Sequence, residues 1–158
     1  MKIEVLYGYE NKGYQLFRFF QEEEAYRHSF NELTKKTFGF DFEQWYLDGY
    51  WKENYQPYTI FHQGIAIANV SVNPLLFQHR DKEIRLLQIG TVMTDIEHRG
   101  EGLGKALMER ILKEWVEQVD GIYLFGNDGV LSYYPKFGFH KQREDQYFIS
   151  REMMAKKI

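Results

Sequence analysis

The sequence predicts a mixed α/β fold in which strands and helices share one domain. Short runs that alternate apolar and polar residues indicate strands, and longer stretches with apolar residues at every third or fourth position indicate helices. The chain has 158 residues, no internal repeat and no Pro-, Gly- or Ser-rich linker. We therefore expect a single domain over residues 1–158, long enough to bury a substantial core.

The first half of the chain is predicted to contain a strand, two helices and a hairpin. The opening KIEVLYGY alternates as a strand does. The segment from Gly13 to Lys36 has helical spacing with a break near Tyr26 to Ser29, and FDFEQWYLDGYW predicts a short second helix that Gly49 ends. The run PYTIFHQGIAIANVSVN predicts a hairpin turning at Gln63-Gly64, because glycine tolerates the positive φ of a tight turn.

The second half begins with EIRLLQIGTVMT, which is apolar on both faces, as in a strand that is covered on both sides. Gly90 interrupts it and predicts a bulge or a close backbone approach. A helix follows with apolar residues at every fourth position and an expected end near Asp120-Gly121. GIYLFGN predicts a strand. We also expect a short helix around Leu131 to Phe137 and two final strands, near residues 139–142 and 146–151. The predicted order is β-α-α-β-β-β-α-β-α-β-β.

Composition and charge exclude several classes of function. The formal net charge of −3 argues against a nucleic-acid-binding protein, which needs a concentrated basic face. The absence of cysteine excludes disulfides and thiolate nucleophiles, and the five histidines lack metal-ligand spacing, so no metal site is expected. Neither a signal peptide nor a membrane span is evident, so we expect a cytoplasmic protein with a small-molecule partner.

The stretch HRGEGLGKAL, residues 98–107, places three glycines between a strand and a helix, an arrangement that suggests phosphate binding. A P-loop is excluded because Arg99 stands at its first glycine and Ala106 at its Ser or Thr. The Rossmann pattern lacks its third glycine. What remains is Arg-x-x-Gly-x-Gly, formed by Arg99, Gly102 and Gly104. On these residues alone, a plain glycine-rich loop is an equal alternative.

This segment resembles the acetyl-CoA pyrophosphate loop of the GNAT superfamily of N-acetyltransferases, and the predicted element order matches that fold along nearly the whole chain. The resemblance implies a mixed, mostly antiparallel central sheet flanked by helices. In this family the fourth strand carries a bulge and splays away from the fifth, and the pantetheine arm of acetyl-CoA lies between them. Gly90 lies near the expected place of that bulge.

The resemblance also implies a set of residues that bind acetyl-CoA as co-substrate. Main-chain groups of three strand residues would bind the pantetheine, and the glycine loop would bind the pyrophosphate. Asn127 resembles a residue on the pantetheine or adenosine side, although a turn explains this Asn nearly as well. The implied set is Val92, Met93, Thr94, Arg99, Gly100, Gly102, Leu103, Gly104, Lys105 and Asn127.

A second match lies in SYYPKFGF, where Tyr134 stands four residues before Gly138, itself followed by Phe139. By resemblance to the family, the Tyr134 phenol would protonate the departing CoA thiolate. A phenol's pKa exceeds a thiol's by only about 1.5 units, so the transfer is chemically reasonable. The alternative is that Tyr134 serves aromatic packing in a short helix.

The chain departs from the family pattern at three positions near these motifs. The family commonly has proline where Ile96 stands and an aromatic residue where His98 stands, while Pro135 limits the second motif to a short helical turn. These departures bear on the geometry of the loops.

The predicted function is therefore transfer of an acetyl group from acetyl-CoA to an amine of a small molecule or protein, by direct attack. Two alternatives are a non-catalytic acyl-CoA-binding protein and a toxin-like transferase acting on charged transfer RNA. Members of this family often pair through their C-terminal strands, so a homodimer is one expected arrangement. The sequence leaves open the acceptor, the acyl chain preference and the oligomeric state.

The general base also stays unassigned, with four acidic or histidine residues near the bulged strand as candidates. A separate hypothesis is that the rings and carboxylates of the aromatic segment Phe38 to Trp51 hold a cationic amine. The alternative for most of these rings is core packing. The base candidates are Asp95, Glu97, His98 and Glu83, and the carboxylates are Asp41, Glu43 and Asp48.

Overall fold

A computed structural model of the chain describes residues 1–143 and contains a six-stranded sheet. The strands lie side by side in chain order, and every neighbouring pair is antiparallel except the last, which is parallel. This confirms the predicted mixed, mostly antiparallel sheet. The strands are β1 (Lys2–Val5), β2 (Tyr14–Arg18), β3 (Gln56–His62), β4 (Ile65–His79), β5 (Lys82–Thr94) and β6 (Gly121–Leu124).

Three α-helices cover the two faces of this sheet: α1 (Glu24–Phe38), α2 (Glu43–Leu47) and α3 (Leu103–Trp115). Phe30 of α1 belongs to a buried cluster with Phe61 of β3 and Met93 of β5, so α1 covers that face. Tyr58, on the opposite face of β3 because side chains alternate along a strand, accepts a hydrogen bond of 2.9 Å from the Trp115 indole of α3. The sheet is thus buried on both sides.

The hairpin between β3 and β4 forms where the sequence predicts it. Gln63 and Gly64 have φ values of +51° and +81°, the pattern of a two-residue turn that matches the twist of paired strands. The short helix α2 is also confirmed, and Gly49 follows it with a positive φ of 78°.

The predicted helical stretch from Gly13 to Lys36 is wrong in its first part, which forms strand β2. The residues of β2 pair with β1 on one side and β3 on the other, and only one of its five side chains is exposed. Leu16 and Phe17 therefore point to opposite faces of the sheet and are both buried. A short apolar run suits a helix or a strand equally, and here pairing with distant strands decides. The break accordingly lies before Glu24.

Helix α3 ends at Trp115, five residues before the predicted end. After the helix, Asp120 binds the chain to β5. Its N–H donates to the Arg85 carbonyl, and its carboxylate accepts from the Arg85 N–H, both at 2.8 Å. The strand predicted at 139–142 is also wrong, since these residues are irregular; a short run forms a strand only beside a pairing neighbour. The strand predicted at 146–151 lies outside the described residues.

The chain divides into two compact units, Met1–Asn127 and a second that begins at Asp128. The first contains the whole sheet and all three α-helices. In the second, the part up to residue 143 contains two short 3-10 turns, Asp128–Val130 and Tyr134–Phe137. The single domain over residues 1–158 stays a prediction. None of the helices described up to residue 143 is both long and apolar enough to cross a membrane.

Candidate functional site

Strand β6 pairs with only the first half of β5. Their ladder runs from the pair Leu86 and Gly121 to the pair Ile89 and Leu124, where β6 ends. Strand β5 continues to Thr94, so the backbone from Gly90 to Thr94 has an edge that β6 does not pair. This is the opening predicted between the fourth and fifth strands, which are β5 and β6 here because β2 adds a strand to the predicted order.

The bulge in β5 lies at Thr91, one residue after the predicted Gly90. Asn69 of β4 pairs with Met93 and Ser71 pairs with Gly90, so Thr91 and Val92 together oppose a single residue of β4. Thr91 has a φ of +50°, which is strongly disfavoured for a β-branched residue. The backbone at this point is therefore strained.

The backbone of β5 presents polar groups to the open edge at alternate residues. The N–H of Asp95 donates to the Ile67 carbonyl of β4 at 2.8 Å, so Asp95 and Met93 face β4. Val92 and Thr94 then face the other way, into the opening. Consistent with this orientation, Arg99 reaches the Thr94 carbonyl from outside the sheet at 3.4 Å.

The loop after β5 leads to α3 through two glycines in the left-handed region. Gly100 and Gly102 have φ values of +85° and +82°, and α3 begins directly after Gly102. No side chain caps the helix, and the N–H groups from Gly100 to Lys105 have no acceptor within residues 1–143. Unpaired N–H groups at a helix N-terminus form a binding site for an anion such as a phosphate.

The N-terminal segment supports this loop through Glu101. Its carbonyl accepts a hydrogen bond of 2.8 Å from the Tyr9 hydroxyl, and its carboxylate contacts Lys12, Tyr14 (3.0 Å) and His98 (2.9 Å). Hydrogen bonds from Lys12 and His98 lower the pKa of Glu101 to about 2. We call these five residues the loop brace.

The other predicted loop residues differ in their surroundings. The Leu103 side chain is buried in the core, so only its main chain can face a ligand. Gly104 lies in the first turn of α3, and the exposed Lys105 makes an ion pair of 3.6 Å with Glu109. Asn127 is exposed at the end of the first compact unit.

Tyr134 belongs to the second compact unit and opens its 3-10 turn. The residue is 8% exposed, and its ring packs against Tyr133 and Phe139. Burial raises the pKa of the Tyr134 phenol. The hydroxyl is therefore protonated at neutral pH, as a proton donor must be.

The candidate bases are spread along β5 and the loop. Asp95 caps the turn after β5 by accepting from the Glu97 N–H at 3.1 Å, Glu97 is exposed, and His98 belongs to the loop brace. Glu83 pairs with Gln78 near the far end of the strand, eight residues from Thr91 and therefore roughly 25 Å away. No described residue stands out as the base.

The aromatic segment 38–51 uses its carboxylates for structural contacts. Glu43 binds Arg27 (3.1 Å) and Asn31 (2.8 Å), Asp41 accepts from the Glu43 N–H, and Asp48 accepts from Gln44. Within residues 1–143, no group of three or more His, Cys, Asp or Glu side chains is arranged to hold a metal ion.

Two features of the site were not predicted from the sequence. The loop brace joins residues about 90 positions apart, and no local pattern signals such a contact. The second feature is a group of polar residues beneath Thr91 that includes Asn69. The sequence did contain one indication of it, because the amide side chain of Asn69 is unusual in a buried strand as apolar as IAIANVSV.

Solved structures with the same fold include acetyltransferases. An acetyltransferase of Trypanosoma brucei has a TM-score of 0.70 and 20% identity, covering 87% of this chain and 99% of that one. A protein of Clostridium acetobutylicum, solved with acetyl-CoA and described as a predicted acetyltransferase, has a TM-score of 0.68 and 15% identity, with coverages of 86% and 96%. At these identities the likeness shows the fold.

Sequence comparison gives the family. The curated GCN5-related N-acetyltransferase 2, chloroplastic, of Arabidopsis thaliana is 35% identical over 57 residues, which are 35% of this chain and 22% of that relative's length. The family model described as an acetyltransferase (GNAT) domain matches residues 18–141, most of the chain, including the opened strand, the glycine loop and Tyr134. The chain therefore belongs to the GNAT acetyltransferase family.

Proposed function

We propose that this protein transfers the acetyl group of acetyl-CoA directly to an amine of a small molecule or of another protein. The observation that carries the proposal is a row of N–H groups, from Gly100 to Lys105, that have no acceptor among residues 1–143. They lie at the N-terminus of α3, which follows the opened edge of β5. An anion-binding group next to an unpaired strand edge suits a diphosphate joined to an amide-containing arm.

The loop would bind the pyrophosphate through these N–H groups, with the exposed Arg99 and Lys105 adding positive charge. The open edge of β5 would bind the pantetheine amides, because Val92 and Thr94 present their N–H and carbonyl groups there. Main-chain hydrogen bonds of this kind resemble the addition of a strand to a sheet.

The acceptor amine would attack the carbonyl carbon of the thioester, forming a C–N bond as the C–S bond breaks. The N–H of Val92 is the proposed donor to the carbonyl oxygen as it gains negative charge. Tyr134 is the proposed general acid, giving its proton to the leaving sulfur and regaining one from solvent. The proton that the amine loses passes to water in this scheme, since no base is assigned.

A thiol-release assay with acetyl-CoA tests the function across polyamines, amino acids, aminoglycosides and peptides. Amine-dependent release of CoA, with the acetylated amine identified by mass spectrometry, is the expected result. Tight binding of acetyl-CoA with no transfer to any acceptor class would favour the non-catalytic binder instead. Activity confined to charged transfer RNA would favour the toxin-like transferase.

Tyr134→Phe tests the role of the phenol. If Tyr134 is the acid, turnover should fall roughly 10²–10⁴-fold, while the dissociation constant of CoA, measured by calorimetry, stays the same. Tyr133→Phe is the matched control, because it removes a neighbouring hydroxyl from the same turn and should retain turnover. Equal turnover in the two variants would remove Tyr134 from the mechanism.

A further inference from the structure

Five neutral polar side chains, one of them the strained Thr91 of β5, form a connected group. The Asn69 amide nitrogen donates to the Thr91 carbonyl at 2.8 Å and to the Ser71 hydroxyl at 2.9 Å. We call this group the bulge network; its members are Thr59, Asn69, Ser71, Tyr55 and Thr91.

The hydrogen bonds of the network have a defined direction. The Asn69 carbonyl oxygen accepts from the Thr59 hydroxyl at 2.7 Å, which directs both amide hydrogens towards Ser71 and Thr91. The Ser71 hydroxyl donates to the Tyr55 oxygen at 3.0 Å, so the proton of Tyr55 is left for the Thr91 hydroxyl oxygen, also 3.0 Å away. Thr91 is therefore held twice, at its carbonyl by Asn69 and at its side chain by Tyr55.

The network lies in the core between the sheet and helices α1 and α2. Thr59, Asn69 and Ser71 have no exposed surface, and Tyr55 is 7% exposed. Apolar side chains of similar size could fill this space without desolvating polar groups, so packing alone does not account for the choice of residues. What the polar groups add is a fixed direction for the Thr91 carbonyl.

That direction determines where the next N–H points. A trans peptide is planar, and its carbonyl and N–H point in opposite directions. Because Asn69 of β4 holds the Thr91 carbonyl, the N–H of Val92 points away from Asn69. The ladder with β6, on the other side of β5, ends before this residue. The positive φ of Thr91 would relax towards a regular strand without such contacts.

We infer that Asn69, supported by Thr59, Ser71 and Tyr55, is a positioning residue for acetyl transfer: it fixes the Thr91–Val92 peptide so that the Val92 N–H faces the reacting carbonyl. This inference rests on the proposed function for its catalytic consequence. The conformational part, that Asn69 maintains the bulge, holds for the protein alone.

Asn69→Leu tests the inference, since leucine has a similar size and no hydrogen-bonding group. Misdirecting one oxyanion donor should lower kcat about 10- to 100-fold. The dissociation constant of CoA should change less than about threefold, because the pyrophosphate loop lies outside the network. Backbone chemical shifts of Thr91, measured by NMR in the free protein, should lose the signature of a positive φ.

Two further variants keep the test decisive. Tyr55→Phe removes one hydroxyl and should lower kcat by a smaller factor, which also serves if Asn69→Leu does not fold. Thr34→Val removes a buried hydroxyl that bonds only within α1, so it should lower the melting temperature and leave kcat unchanged. A role of Asn69 in stability alone would make Asn69→Leu behave as Thr34→Val does.

The outcomes separate the inference from the proposed function. If the wild-type protein transfers no acetyl group, the proposed function fails, and the chemical shifts of Thr91 in Asn69→Leu still decide the conformational part. If Asn69→Leu retains both the positive φ of Thr91 and the wild-type kcat, the inference is overturned. Loss of both supports it.

Discussion

The glycine loop and the bulge of β5 both depend on residues with positive φ, but the two regions are held in opposite ways. In the loop, Gly100 and Gly102 adopt this conformation without steric cost, and a partly exposed, charged brace supports them from outside. In the bulge, a threonine adopts it at a steric cost, and a buried, uncharged network holds it from the core.

The difference suits what each region would do. A loop that binds a dianion needs unpaired N–H groups and room for backbone to approach the ligand, which glycine provides. A peptide that directs one N–H at a reacting carbonyl needs a fixed orientation, and hydrogen bonds in a buried, low-dielectric environment fix it more firmly. The loop brace is charged and partly exposed, so salt and acid act on it, whereas the bulge network is uncharged and four of its five members are buried.

Gly102→Val should have the largest effect on the loop and spare the bulge. Valine is disfavoured at a φ of +82°, and its Cβ would lie 3.0 Å from the Tyr9 hydroxyl that supports the loop. Losing one hydrogen bond to a charged ligand should weaken CoA binding by about 10- to 100-fold, measured by calorimetry. At saturating acetyl-CoA, kcat should change far less than in Asn69→Leu.

Gly39→Val is the matched control for backbone strain. Gly39 also has a positive φ of 80°, follows α1, and has nothing within 4 Å of an added Cβ. It should lower stability without changing the affinity for CoA. If Gly102→Val bound CoA as tightly as Gly39→Val does, the loop would not be the pyrophosphate site.

Lys12→Met should have a smaller effect, because it removes one charged member of the loop brace. The ion pair with Glu101 is partly exposed, and solvent weakens pairs of this kind, so CoA affinity should fall no more than about fivefold. The Glu101 carboxylate, left without its cationic partner, would also repel a bound diphosphate and so lower CoA affinity.

The comparison with Lys12→Met sharpens when salt is varied. The loss of CoA affinity in Lys12→Met should shrink as NaCl is raised from about 0.1 to about 1 M, because salt screens the charges. The lowered kcat of Asn69→Leu should not recover with salt. Lys82→Met, which removes an exposed charge at the tip of the β4–β5 hairpin, is the control. A defect of Lys12→Met that is independent of salt would contradict an electrostatic brace.

The sequence predicted the features of the site that depend on neighbouring residues. The turn at Gln63-Gly64 and the glycines before α3 follow from the backbone freedom of glycine within a few positions. Strand β2 could not be predicted in this way, because Leu16 and Phe17 become a strand only by pairing with β3, more than 40 residues later. Local spacing there is equally compatible with a helix.

The same distinction explains why the bulge was expected at Gly90 and lies at Thr91. A positive φ is predicted from sequence at glycine, the residue that tolerates it at no cost. At Thr91 the conformation is maintained by Asn69, 22 residues away, and by Tyr55, 36 residues away. Contacts between distant residues override the local preference, and a single sequence does not reveal them.

Acid should have the smallest effect, and it acts on the loop through Glu101. Hydrogen bonds from Lys12 and His98 lower the folded-state pKa of Glu101 to about 2 from an ordinary value of 4.5. A carboxylate with a lowered pKa stabilises the folded state above its ordinary pKa, and this contribution is lost as the pH falls from 4.5 towards 2. Lys12→Met should raise that pKa towards its ordinary value.

The difference in unfolding free energy between wild type and Lys12→Met, measured with urea, should therefore be constant from pH 7 to about 5 and shrink below pH 4.5. Near pH 2 the carboxyl is largely protonated in Lys12→Met and about half protonated in wild type, so most of the difference should be gone. The difference between wild type and Asn69→Leu should not follow this curve, because no member of the bulge network titrates in that range. A Lys12→Met difference that persists unchanged to pH 2 would show that Lys12 supports the loop by packing and not by its charge.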